Sequence, residues 1–326
     1  MGDVDEISGA VTWTTFAAAM TRAASVAVLA LLAPASAYTV QPALAAYRTP
    51  LQAAATRCGV CTGAEADTAV ATGVDELVTA ISGDGSISAK ALVTTSLVAE
   101  VSQCQGLGGL AAAALGRALT CSLLVAEGLK EDETFQVTFQ GDGPLRGVMA
   151  TANGKLESRG YVGNPAVSLP PNAKGKFDVG AGVGKGSLQV VRTKMLPGET
   201  VPSPYTSITA IRSGEIPEDI NYYLLESEQK EGALAAGVYV QGVSTEADMN
   251  GVEVSAAAVQ AAGGWYVQLL PFASDEATAQ LTANLEALAS KSPTTMVREG
   301  IGAEGMLRLL LEGLDMQVRH GGVTAV

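Results

Sequence analysis

Cys58-Gly-Val-Cys61 has the spacing of a redox-active dithiol, or of half a zinc site. Completing a zinc site takes two more thiolates or imidazoles, and none follows at ligand spacing. Cys104 and Cys121 stand apart, in helical patterns that read as buried thiols. A nucleophilic triad needs a base, and the single histidine is His320, in the final stretch MQVRHGGVTAV. The carboxylates scatter without a convergent pair. From Val179 the run VGAGVGKGS imitates a phosphate loop, but Val179 stands where the first glycine belongs and Gly186 where Ser or Thr belongs. It reads as a glycine-rich loop feeding a strand over Ser187–Arg192. These readings predict no catalytic residue, no metal ligand and no cofactor. A thiol oxidoreductase using Cys58 and Cys61 is the enzymatic alternative.

Charge narrows the partners. The chain has 20 basic and 33 acidic residues, a net of −13, and such a surface repels phosphate, which argues against nucleic acid. Between Ile7 and Ala64 there is no acid, only Arg22, Arg48 and Arg57. Within that stretch Met20-Thr-Arg, the run VAVLALLAPASA and the site Ala35-Ser36-Ala37 form the three parts of a signal peptide. The apolar run is too short to span a bilayer, so no membrane insertion of the mature chain is expected. The following segment, still acid-free, resembles the second part of the plastid leaders of algae with secondary plastids. A secreted or cytoplasmic protein is the alternative.

The elements beyond residue 72 indicate an α+β fold. Val74–Ser82 and Ser86–Leu92, joined by Gly83-Asp84-Gly85, read as a hairpin. Thr94–Gln105 reads as a helix. Leu107–Leu129 is a second one, apolar all round, which places it between sheet layers. Strands are expected over Glu133–Gln140 (Phe135, Val137 and Phe139 on one face), Leu145–Asn153, Leu156–Gly163 and Tyr205–Ser213, and again over Ala235–Val243 and Val254–Leu270. Ile216-Pro217 opens a helix closing at Gln229, and Ser274 opens another carrying Leu281, Leu285 and Leu288. Two helical pieces follow Pro293, the last over Glu304–Leu314 with Leu307, Leu310, Leu311 and Leu314 as one stripe that should pack on the main domain or expose a patch.

Asp219-Ile-Asn-Tyr-Tyr-Leu-Leu-Glu-Ser-Glu-Gln229 and Ala261-Ala-Gly-Gly-Trp-Tyr-Val-Gln-Leu-Leu-Pro271 resemble the paired signatures of the redox-regulated 33-kDa heat-shock chaperone family. Ala114–Arg117, Gly141–Pro144, Tyr161–Pro165 and Gly186–Val191 add to the likeness, which runs from about Val74 to Val318. The resemblance implies mixed and antiparallel sheets packed around a buried central helix. It implies an ATP-independent holdase that binds unfolded clients through exposed apolar surface and forms a homodimer when active. Its signature residues here are Tyr222, Tyr223, Ser227, Glu228, Gln229, Gly263, Gly264, Gln268 and Pro271, with a structural, dimer or client-surface role.

The family's C-terminal zinc domain carries thiolates that bind zinc or oxidise, and metal loss unfolds it. In this sequence Met316-Gln-Val-Arg319 resembles the approach to the first zinc-ligand pair, and HGGVTAV takes the pair's place. The expected layout is therefore 1–37 upstream segment plus signal peptide, 38–72 transit-like leader, 73–292 chaperone core, 293–316 start of a helical linker and 317–326 divergent tail. The expectation is an uncovered chaperone domain without the zinc switch. A dimerisation module that binds no client is the third reading. Glu228 lies at a helix C-terminus, where the dipole opposes a carboxylate, so it should have an arginine or a backbone donor as partner.

Overall fold

The computed structural model describes residues 75–172, 175–194, 203–241, 258–271, 273–322 and 324–325. The segment read from sequence as a leader, with Cys58 and Cys61, lies outside the described residues. The chain opens with the hairpin β1 (Glu76–Ser82) and β2 (Ile87–Val93). At its turn the Asp84 carboxylate accepts the Ser86 N–H at 3.0 Å and both flanking serine hydroxyls, while Gly85 takes φ +73°. Helices α1 (Thr95–Gln105) and α2 (Gly109–Ala126) follow, then β3 (Thr134–Gly141), β4 (Val148–Asn153) and β5 (Glu157–Val162). Next come α3 (Val179–Val183), β6 (Gly186–Lys194), β7 (Ser203–Ala210), α4 (Ile216–Glu228), β8 (Gly232–Gln241) and β9 (Ala258–Leu269). The described residues finish with α5 (Asp275–Ala287), α6 (Pro293–Arg298), α7 (Ala303–Leu310), β10 (Met316–Gly322) and β11 (Thr324–Ala325).

Two sheets sandwich α2. One has the order β10-β1-β2-β9-β8, the other β11-β5-β4-β3-β6-β7. Every residue of α2 except Arg117 is buried, and Arg117 is ion-paired to Glu215. The helix is long and apolar enough to cross a bilayer, yet 94% of it is buried inside the fold. It packs closely because it carries small residues: a Cβ on Gly116 would fall 2.6 Å from Val98 and 2.7 Å from Val238. Phe135, Val137 and Phe139 point at it from β3, and Leu188 and Val190 from β6, all within one core.

Several boundaries depart from the sequence reading. The central helix starts at Gly109 and stops at Ala126. The strand expected from Leu145 begins only at Val148, because Arg146 and Gly147 take φ of +57° and +117°. The glycine-rich run is not wholly loop: it holds α3, whose Asp178 cap accepts from Ala181 N at 2.8 Å. The last helix ends at Leu310 rather than Leu314, since Gly313 turns the chain at φ +78°. Cys104 is exposed, against the expectation of two buried thiols, while Cys121 is buried. The segment expected as a divergent tail supplies β10, paired antiparallel along all of β1 from Glu76↔Gly322 to Ser82↔Met316.

Candidate functional site

Side chains alternate across a strand, so one face of the five-stranded sheet looks at α2 and the other looks away. Inward go Leu77, Leu92, Leu234 and Tyr266, members of the main core. The outward set is just as apolar. Val78, Ala89, Ala91, Trp265 and Val267 point away from α2, and each is at most 4% exposed. A sheet face left in water would alternate to polar residues, and this one does not.

What covers it is the C-terminal helical layer. Helix α6 packs on β8 and β9, α7 on β1 and β2, and α5 on α7. Met296, Met306, Leu307, Leu310 and Leu311 are buried, with Leu281 and Leu285 of α5. Two glycines let α6 sit down. A Cβ on Gly237 would meet Thr294 Cγ2 at 2.8 Å, and one on Gly263 would meet Val297 Cγ2 at 3.2 Å. Directional bonds join α5 to the end of α7 and the chain beyond α7 to the β1–β2 turn. Asn284 Nδ2 donates to the carbonyls of Leu310 (3.0 Å) and Glu312 (2.8 Å), and Gly83 N donates to Asp315 O at 2.7 Å. The Arg298 guanidinium lies 4.2 Å from the Tyr239 ring centroid.

This layer buries the outward face of the five-stranded sheet. Among the described residues the large apolar side chains left exposed are Ile81, Tyr161, Tyr205 and Ile208. The leucine stripe of α7 packs down rather than facing solvent.

The signature residues fall into two groups. In the first, Glu228 at the end of α4 meets Arg192 Nε at 2.7 Å, Lys230 Nζ at 2.8 Å and the Tyr223 hydroxyl, which donates to it at 2.9 Å. Arg192 Nε is close to the carboxylate but off its N–H direction, so the contact is an ion pair and not a directed hydrogen bond. The guanidinium also lies 5.1 Å from the Phe135 ring centroid. Burial, and then the Glu228 charge, push the Tyr223 phenol up, and burial does the same to Tyr266. Gln229 closes the helix at φ +54°. Tyr222 stacks under Arg212 (4.4 Å), and Ser227 accepts a long bond from Ser207 at 3.4 Å.

The second group lies on β9 and just beyond it. A Cβ on Gly264 would fall 2.5 Å from Ala235 O, so this glycine permits close approach of β8. Gln268 accepts from Tyr266 at 3.4 Å, and Pro271 is exposed beyond the strand. The two groups adjoin at Tyr266, whose phenol feels the Glu228 and Arg192 charges and donates to Gln268. Sequence reasoning asked for a partner to Glu228 without naming Arg192, although an arginine continuing the Leu188–Val190 alternation was the available signal. It also missed Asp219, which accepts the N–H groups of Arg212 (3.0 Å), Ser213 (3.1 Å) and Gly214 (2.9 Å). Burial outweighs those bonds and raises its carboxyl above the usual range. No group of three or more His, Cys, Asp or Glu placed to hold a metal occurs among the described residues.

The sequence pattern of the Hsp33 protein family matches residues 75–322. The chain belongs to the Hsp33 family. A 33 kDa chaperonin of Symbiobacterium thermophilum is 42% identical over 245 residues, which cover 75% of this chain and 76% of the relative. One from Nostoc sp. is 42% identical over 222 residues, 67% of each chain. The crystal structure of the 33 kDa chaperonin of Thermotoga maritima superposes with a TM-score of 0.67 at 29% identity, covering 78% of this chain and 80% of that one. These relatives are named as chaperones. The Hsp33 chain described here is accordingly placed with chaperones of the stress response and not with enzymes, and its α+β sandwich is the Hsp33 fold.

Proposed function

We propose that this protein is an ATP-independent holdase that captures unfolded or partly unfolded polypeptides on the outer face of the five-stranded sheet. The observation that carries the reading is the second buried layer, apolar on the sheet side and roofed, among the described residues, by α5–α7. The helices of the roof span Asp275–Ala287, Pro293–Arg298 and Ala303–Leu310, lengths that are marginal as isolated helices in water. A layer of this kind opens more readily than the core around α2. Trp265 on the face, with Met296 and Met306 on the roof, gives a surface able to adapt to varied apolar partners.

For this polypeptide we propose opening by unfolding stress without a zinc switch. In support, residues 316–322 hold no cysteine and pair with β1 as β10. The test is suppression of client aggregation, followed by light scattering with a heat-unfolded client. Suppression should be equal in reductant and in peroxide. Leu307→Asp, which sets a charge beneath the roof, should suppress aggregation at lower temperature than the wild type. Activity seen only after oxidation, or a variant no better than wild type, would contradict the proposal.

A homodimer and a plastid location complete the reading. The acid-free stretch from Ile7 to Ala64 supports the second, and native protein retaining Gly2 or Thr21 would overturn it.

A further inference from the structure

A segment laid flat on the outward face of the five-stranded sheet meets a floor without hydrogen bonds to give. The backbone groups of β1, β2 and β9 are spent on their own ladders, and the side chains between the ends of the floor are apolar. An extended client there would bury its own N–H and C=O groups unpaired. A helix brings its backbone bonds with it.

The floor is also shaped for a helix. Ala91 stands between Val78 and Trp265, and Ala235 follows Trp265 in the same row. The next row runs from Glu76 through Val93 and Gly263 to Gly237. Small residues leave depth in the floor, and the large side chains come from what sits above. Met296 of α6 and Met306, Leu307 and Leu310 of α7 are wholly buried there.

Two polar features mark the ends of this floor. Glu76 Oε2 lies 3.3 Å from where a Cβ on Gly302 would stand. Gly302 is the N-cap of α7 and has no side chain to cap it, so the floor sets a carboxylate at the positive end of the helix. Across the sheet, Tyr239 of β8 holds the guanidinium of Arg298, from the last turn of α6, 4.2 Å from its ring centroid. Both features favour positive charge, as does the net charge of −13.

We infer that this face takes clients as amphipathic helices bearing positive charge, seated as α6 and α7 now are. Glu76 and Tyr239 set the charge preference, and the small-residue floor sets the preference for a helix over a strand. The inference rests on the client site proposed above and names the class of segment that fills it. From Glu76 to Gly237 is three strand spacings, about 14 Å, which a helix covers in about ten residues.

Fluorescence anisotropy of labelled synthetic peptides, titrated with the full chain, tests this. Three probes of about 14 residues, long enough to cross the floor as a helix, are compared. The first has leucines at helical spacing among lysines, the second the same residues reordered so that leucine alternates, and the third is the helical probe with glutamate for lysine. Leu307→Asp, at a temperature where it suppresses aggregation and wild type does not, should bind the first probe about tenfold or more tighter than either other. Wild type at that temperature has its roof closed and nearly the same charge, and should bind none of them. Adding Glu76→Gln and Tyr239→Leu should bring the basic and acidic helical probes within about threefold of each other. That variant should keep the preference for helical over alternating spacing. If circular dichroism shows that Leu307→Asp does not fold, wild type warmed to its own suppressing temperature takes its place. Equal or tighter binding of the alternating probe would overturn the helical class, and equal binding of basic and acidic helices the charge preference. In both cases suppression of aggregation by the same protein leaves the client site standing. Equal binding by closed wild type would put the probes on the acidic surface at large and contradict the inference. An opened protein that suppresses no aggregation overturns the site and this inference together.

Discussion

Arg192 on β6 and Glu228 at the end of α4 sit 2.7 Å apart with side chains 9% and 13% exposed. The pair ties the six-stranded sheet to the helix that leads into β8 of the other sheet. Lys230 and the Tyr223 hydroxyl take up further carboxylate valence. Arg192 Nη2 is buried with no hydrogen-bond partner among the described residues. The whole arrangement therefore leans on one carboxylate.

Glu228→Ala should cost about 3–5 kcal/mol, the range for removing one partner of a buried ion pair and stranding the other. Urea unfolding of the variant against wild type measures it. Tyr223→Phe, which removes a single bond to the same carboxylate, should cost only about 1–2 kcal/mol. Equal stability of Glu228→Ala and wild type would show that the cluster is ornamental.

Asp84 predicts a pH effect with a definite sign. Hydrogen bonds from Ser82 and Ser86 lower its carboxyl from 3.8 to about 2. The folded value lies below the unfolded one, so its contribution is present above about pH 4 and is lost as pH falls through 2. The Tm gap between wild type and Asp84→Ala should be wider at pH 6 than at pH 2. A gap independent of pH would refute the assignment.

The two thiols of the described residues should differ in reactivity. Burial pushes the Cys121 thiol far up, so the nucleophilic thiolate is scarce and shielded. Maleimide labelling of native protein, mapped by mass spectrometry, should modify Cys104 and spare Cys121 until the fold is opened by denaturant. Labelling of Cys121 at the same rate as Cys104 would contradict the placement of α2.

Why some of this was legible in sequence and some was not follows from range. The all-round apolar run about Leu115 could only lie between layers, and the period-two pattern at Phe135, Val137 and Phe139 could only face it. Glu228 announced a need for a partner because a helix C-terminus disfavours its charge. Arg192 could not be chosen, since 36 residues and a sheet crossing separate the two (228 less 192). Whether the roof packs or faces solvent stays open in the sequence for a related reason. The Leu307–Leu311 stripe is equally consistent with packing and with exposure, and only the outward row of Val78, Ala91 and Trp265 decides between them. Short apolar strands such as β1 do not say which of their two faces is covered, or by what.

The central claim is that clients bind where the roof now sits, and a clamp tests it directly. A Cβ placed on Gly237 lies 3.7 Å from the Thr294 Cβ, close to the disulfide mean of about 3.8 Å. Gly237→Cys with Thr294→Cys should therefore lock α6 onto β8. Client aggregation is then followed with the clamp closed and again after reduction, beside wild type treated alike. The account predicts that the closed clamp abolishes suppression and that reduction restores it. Equal suppression by clamped and reduced protein would contradict it.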